Sequence, residues 1–186
     1  MSTFDVKKNP AICALPWIHE YKTIGGKIAP CCQGDGFLEG ETIAGTRESM
    51  LKGIKPRACY ACYKTEQESG WSPRIQETND WIGKFGEPDV NNPSIQFVDV
   101  RYDPTCNLKC KTCGPGSSTL WQKEKGIKIA VSEKNKDFLN EVDKTILKKV
   151  YLAGGEPTYI RSYLQFLQEL FVVNPVCEVI INTNLK

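Results

Sequence analysis

The second half of the chain carries the clearer hydrophobic pattern. Residues 95–102, IQFVDVRY, alternate apolar and polar positions as a half-buried strand does. Residues 147–155, LKKVYLAGG, predict a short strand that ends in a glycine turn, and 177–184, CEVIINTN, an apolar β-branched strand. Between them the period changes. The stretch GSSTLWQKEKG predicts a helix with Ser117 or Ser118 as its N-cap. SEKNKDFLNEVDKTI predicts a polar-faced helix with Phe138, Leu139 and Val142 turned inward. SYLQFLQELFVV (162–173) has helical spacing at Leu164, Leu167, Leu170 and Phe171, and Asn174-Pro175 stops it. Strands alternating with helices predict βα units around a parallel sheet, an α/β fold.

Residues 1–93 have a different texture. Short apolar pieces alternate with GG, QGDG, EGET and KPRACYAC, so the region reads as turn-rich and irregular. Short helices are predicted at Thr46–Lys52 and Tyr63–Ser69, and GKFGEPDVNNP (83–93) predicts a linker. The chain therefore divides into residues 1–93 and residues 94–186. No internal repeat is visible.

Composition narrows the classes. The chain has 186 residues, 40% hydrophobic and 25% charged, which suits a globular protein of one or two domains. A net charge of +2 gives no electrostatic case for a nucleic-acid partner. No apolar run approaches the ~18 residues of a membrane span, and MSTFDVKKNP lacks a signal-peptide core. A cytoplasmic location is the expectation, with no membrane partner. Nine cysteines is then a high and odd count for a compartment that disfavours disulfides. Clustered cysteines there bind metal or carry redox chemistry; burial as small apolar residues accounts for one or two of them.

Three of the nine lie in CNLKCKTC, at Cys106, Cys110 and Cys113, with no fourth beside them. A structural zinc site closes its shell with four ligands, whereas three thiolates leave a position open. The loop follows a predicted parallel strand, where α/β folds bind their ligands. Asn107 and Gly114-Pro115-Gly116 favour a turning path that lets the thiolates converge. This C-x3-C-x2-C spacing closely resembles that of the radical S-adenosylmethionine (SAM) superfamily. A second motif agrees: Gly154-Gly155-Glu156-Pro157, at the end of the next predicted strand, is similar to the GGEP motif that binds the amino group of SAM in that family. Glycines let backbone carbonyls approach a ligand, and a carboxylate accepts hydrogen bonds from an ammonium. The resemblance implies that Cys106, Cys110 and Cys113 hold a [4Fe-4S] cluster whose free iron chelates SAM. It also implies reductive cleavage of SAM to methionine and a 5′-deoxyadenosyl radical that abstracts a substrate hydrogen. An external electron donor such as flavodoxin or ferredoxin would supply the electron. One departure stands out: the residue before the third cysteine is Thr112, where the family usually has an aromatic or large apolar side chain near the adenine.

The first half holds a further set. Cys13 is followed by Gly26, then Cys31, then the pair Cys59 and Cys62 in CYAC. This order, together with LPW, APCC and CYACYKTEQESGWSPR, resembles the auxiliary-cluster modules called SPASM and twitch. Similar segments precede the barrel in radical SAM proteins, many from phages and marine bacteria. The resemblance implies that Cys13, Cys31, Cys59 and Cys62 fully ligate a second [4Fe-4S] cluster, with Cys32 as the alternative to Cys31. An ordinary zinc site with the same four thiolates is the competing reading. Trp17, Trp71 and Trp81 are expected in the core or covering the cluster, His19 in a surface or hydrogen-bonding role, and Cys177 in the core.

The family's barrel has six strands, and a βαβ unit takes about 30 residues or more, so residues 94–186 hold about three strands. The expected fold is the first half of a radical SAM (β/α)6 partial barrel, preceded by a small irregular cysteine-rich cluster-binding domain. Val179-Ile180-Ile181 would then form an apolar edge, which predicts a fragment, a split product or a partner chain that completes the barrel. Relatives with auxiliary clusters often modify peptides or proteins, so a peptide or protein substrate is the leading expectation. The rivals are a non-catalytic metal-binding module and an electron-transfer subunit that needs a partner chain.

Overall fold

The computed structural model describes residues 2–26, 29–132, 135 and 137–186. Two compact units appear: residues 1–21 with 28–95, and residues 22–27 with 96–186. The sequence pattern placed the break between 93 and 94; the units part between Ile95 and Gln96, and the second also takes up the short passage 22–27. Among the described residues no helix is long and apolar enough to cross a membrane.

The first unit is more helical than its turn-rich sequence predicts. α1 (Leu15–Ile18) is a single buried turn that runs into β1 (His19–Thr23). α2 (Ile43–Leu51) starts earlier than predicted because the Thr42 hydroxyl caps it, accepting the Gly45 N–H at 3.0 Å. A 3-10 turn at Arg57–Cys59 leads into α3 (Tyr60–Ser69), which Gly70 ends in a left-handed conformation. α4 (Pro73–Phe85) was not predicted, although Ser72-Pro73 is an N-cap followed by proline in the first turn. It overturns the linker assignment of residues 83–85: Gly83 lies inside the helix, and the break comes at Gly86. Trp17 and Trp81 are buried and Phe4 meets Trp17 edge-on at 5.1 Å, but Trp71 is half exposed, contrary to expectation. His19 is buried, with Nδ1 at 3.4 Å from the Pro30 carbonyl.

The second unit is built on the parallel sheet. β2 (Phe97–Arg101), β3 (Lys149–Leu152) and β4 (Glu178–Ile181) pair in parallel, with Val98 opposite Val150 and Leu152 opposite Ile181. With β1 they form a four-stranded sheet in the order β1-β2-β3-β4, so the fold is mixed α/β with one strand more than the three predicted. α5 (Thr119–Lys125) is capped by Ser118, and α6 (Phe138–Glu141) is one turn only. The longer helix predicted across 132–146 is therefore corrected for its described part, while Glu133, Lys134 and Lys136 lie outside the described residues. Phe138 and Leu139 are buried as expected, and Val142 is half-buried.

α7 (Arg161–Val173) buries Tyr163, Phe166, Leu167 and Leu170, an i, i+3, i+4, i+7 face. Leu164 and Phe171, expected inward, are 43% and 49% exposed. The buried face is rotated because Tyr163 anchors the helix, its ring edge-on to Tyr102 at 5.7 Å at the end of β2. Cys177 is buried.

Candidate functional site

The chemistry-bearing loops of the second unit gather at the carboxyl ends of β2, β3 and β4. The β2 strand runs out at Arg101, and the chain then turns through Asp103-Pro104-Thr105 into the cysteine loop. The β3 strand ends in the glycine turn, and the two turns are fastened together: the Gly155 N–H donates to the Asp103 carbonyl at 2.9 Å and the Glu156 N–H to the Thr105 carbonyl at 2.7 Å. This approach needs glycine twice. Gly154 has φ +107°, and a Cβ there would lie 2.8 Å from the Asp103 oxygen. A Cβ on Gly155 would lie 2.1 Å from the Thr105 oxygen.

The cysteine loop is shaped by α5. The Thr119 N–H donates to the Pro104 carbonyl at 2.9 Å, Ser118 Oγ to the Leu108 carbonyl at 2.8 Å, and the Trp121 indole N–H to the Cys110 carbonyl at 3.0 Å. Gln122 Nε2 holds the Pro115 carbonyl at 2.8 Å. Within the loop the Cys113 N–H donates to the Cys110 carbonyl at 3.0 Å. Cys106 is half-buried at the base of the loop, with the Leu108 N–H directed at its sulfur at 3.4 Å; Cys110 and Cys113 are exposed at its rim.

Glu156 is held by its own protein neighbours. Its side chain is 1% exposed. One oxygen accepts from Thr158 N at 3.1 Å, Thr158 Oγ1 at 2.7 Å and Thr183 Oγ1 at 2.6 Å; the other accepts from Asn184 N at 2.7 Å. Burial pushes this carboxyl up, but the donors from Asn184, Thr183 and Thr158 together hold it below the usual range. Four protein donors thus engage the carboxylate, three on one oxygen and one on the other. Pro157 opens the short 3-10 turn Pro157–Tyr159 and is buried.

The first unit brings Cys13, Cys31, Cys59 and Cys62 into one neighbourhood. Cys13 precedes α1, Cys59 closes the 3-10 turn, and Cys62 lies in the first turn of α3. Burial raises all four thiols, Cys13 and Cys59 to about 12, and mutual repulsion adds to it: Cys59 acts on Cys13, Cys13 and Cys62 on Cys31, and Cys31 and Cys62 on Cys59. Nearby donors oppose it: Leu15 N–H and the Thr78 hydroxyl at Cys13, Gln33 N–H at Cys31, and the backbone N–H of Arg74 at Cys62. Cys13, Cys32 and Cys62 all act on the Cys31 thiol. Behind it lies a buried ion pair. Arg74 is 3% exposed, binds both Glu66 oxygens at 2.7 and 2.8 Å, and donates to the Ile12 carbonyl next to Cys13.

Among the described residues, no three Cys, His, Asp or Glu side chains stand as a group that could hold a metal ion. Tetrahedral Zn–S bonds of 2.3 Å would set the sulfurs roughly 3.8 Å apart. The thiolates of a four-iron cluster each bind a different iron and stand farther apart. The donor sets are four thiols in one neighbourhood and three on one loop.

Asn184, Thr183, Thr78 and Arg74 were not singled out in the sequence as site residues. A signal existed for the first two in the polar NTN that ends an apolar strand; none existed for Thr78 and Arg74, whose roles depend on the unpredicted α4. Comparison with family models, curated proteins and solved structures finds no match to this chain.

Proposed function

We propose that this chain is a radical SAM protein with an auxiliary iron–sulfur module. Cys106, Cys110 and Cys113 would hold a [4Fe-4S] cluster with one open iron for SAM, and Cys13, Cys31, Cys59 and Cys62 a second, fully ligated one. The observation that carries this reading is the junction of two motifs. The three-thiol loop and the Gly154-Gly155-Glu156 turn are hydrogen-bonded to each other at the carboxyl ends of neighbouring parallel strands. Bound there, the cluster and SAM would supply a one-electron cleavage of the SAM carbon–sulfur bond, releasing methionine and a 5′-deoxyadenosyl radical for hydrogen abstraction, with a peptide or protein as the substrate class.

The chain's own residues perform the positioning. Gly154 and Gly155 bring the β3 turn against the loop entrance, and the turn's carbonyls and the Glu156 carboxylate would be the acceptors for an ammonium. Ser118, Thr119 and Trp121 fix the loop backbone on which the exposed Cys110 and Cys113 thiols stand. Four thiolates leave no open iron in the first unit, which suits electron transfer or a structural role. An external electron donor is required.

The test is anaerobic reconstitution with iron and sulfide, metal counting, and EPR with and without SAM. About eight irons per chain and a signal that shifts on adding SAM are expected. Replacing Cys106, Cys110 and Cys113 together by Ala should remove about four irons and the SAM-dependent shift while the other cluster stays. Zinc in place of iron, or an unchanged SAM response in the triple variant, would sink the proposal.

A further inference from the structure

We infer that Asn184 is a positioning residue for the three-cysteine site: Glu156 clamps its backbone, while its side-chain amide fixes Asn107 and faces the Cys106 sulfur. The inference rests on the proposed function only for its electrochemical part. The geometry forms a chain of contacts across three strand ends. Glu156, after β3, is tied backward to the β2 exit through its N–H to the Thr105 carbonyl at 2.7 Å, and forward to the β4 exit through Thr183 Oγ1 at 2.6 Å and Asn184 N at 2.7 Å. With its backbone held, Asn184 places Nδ2 at 2.9 Å from Asn107 Oδ1 and 3.9 Å from Cys106 Sγ. Asn107 also donates from Nδ2 to the Lys186 carbonyl at 3.1 Å, so its amide orientation is set from both sides.

Cys106 differs from its two partners in this respect. Cys110 and Cys113 are exposed, and no hydrogen bond to either sulfur is seen among the described contacts; Cys106 is half-buried under the β4 exit with N–H groups of Leu108 and Asn184 directed at it. A buried carboxylate that accepts four protein hydrogen bonds is a sound way to hold three loops in register. The donors serve a second purpose once a thiolate is present, since hydrogen bonds to cluster sulfurs set the reduction potential by favouring the more negative, reduced state.

Two measurements on the full chain test this separately. In the metal-free chain, mass-spectrometric timing of iodoacetamide labelling reads access to each thiol. Asn184→Ala should speed labelling of Cys106 about tenfold and leave Cys110, Cys113 and the buried Cys177 unchanged. In the reconstituted chain, an EPR-monitored redox titration should show the reduced-to-oxidised ratio of the three-cysteine cluster falling about threefold at fixed potential, ~28 mV at ~59 mV per tenfold for one electron. Asn184→Asp keeps the side-chain shape and the backbone bond to Glu156, and guards against misfolding of the alanine variant. It should lower the potential in the same direction, because it removes the N–H aimed at Cys106 and adds a negative charge. Unchanged Cys106 labelling and an unchanged potential in folded variants would overturn the inference. A wild-type chain that takes up no iron at these cysteines would overturn the proposed function instead, with the labelling result still deciding the role of Asn184.

Discussion

Gly155→Ala is the substitution for which the structure gives the clearest magnitude. The new Cβ would lie 2.1 Å from the Thr105 oxygen, 2.6 Å from its carbonyl carbon and 2.7 Å from the Pro104 carbonyl carbon. All three are backbone atoms, so no side-chain rotation relieves the overlap. Ordinary contact begins near 3.4 Å, and the β3 turn must retreat from the loop entrance by more than one ångström. That retreat stretches the Gly155-to-Asp103 and Glu156-to-Thr105 hydrogen bonds, now 2.9 and 2.7 Å. Losing them costs about 1 kcal/mol each, and the overpacking itself about 1–3 kcal/mol. The sum, about 3–5 kcal/mol, is a large part of the ~5–15 kcal/mol that holds a domain together. Urea unfolding of the metal-free chain, followed by circular dichroism, should show the midpoint lowered by about 2 M for a slope of ~2 kcal/mol per molar. Gly116→Ala is the control, because nothing lies within 4 Å of a Cβ there and its φ is not left-handed. It should shift the midpoint by less than ~0.3 M. Equal midpoints for the two variants would refute the claim that the glycine turn and the cysteine loop are in contact.

The thiols and the buried ion pair give two further tests. A raised pKa leaves a thiol protonated and unreactive, so in the metal-free chain at pH 8 Cys13, Cys31 and Cys59, which burial raises most, should be labelled last and the exposed Cys110 and Cys113 first. Labelling of Cys13 and Cys59 should keep rising well above pH 9; mass spectrometry that finds them labelled as fast as Cys110 would contradict the buried grouping. Arg74→Met should destabilise the first unit by about 3 kcal/mol, because the partly buried Glu66 carboxylate loses its cation, and Glu66→Met on top of it should recover much of the loss. Burial raises the Glu66 pKa, but bonds from Arg74 and Ser72 outweigh it and hold the value below 4.5 in the folded chain. The pair's contribution is therefore present above pH 4.5 and lost as pH falls through the folded value, a slope that Glu66→Met should flatten in urea midpoints.

Legibility along this chain followed the range of the interactions involved. β2, β3, β4 and α7 could be read because their signals are local: alternation in FVDVR, a β-branched run in EVII, and an apolar stripe ended by Asn174-Pro175. The phase of α7 could not be read. Leu164 and Tyr163 are neighbours in sequence, and only the Tyr102 ring, sixty-one positions earlier, decides that Tyr163 turns inward. α4 was hidden for a different reason. Its buried side chains are Arg74, Thr78 and Trp81, two of them polar, so an apolar count misses the stripe. Those residues are inside because each meets a specific partner: Arg74 meets Glu66, and Thr78 Oγ1 accepts the Ala14 N–H at 3.1 Å. The same distinction runs through the candidate site. Cysteine and glycine spacing declares which atoms are available. It does not declare which donors surround them, and Glu156 is the sharpest instance. The motif marks the residue, but only Thr183 and Asn184, one strand later, show that it also ties the β3 turn to the β4 exit.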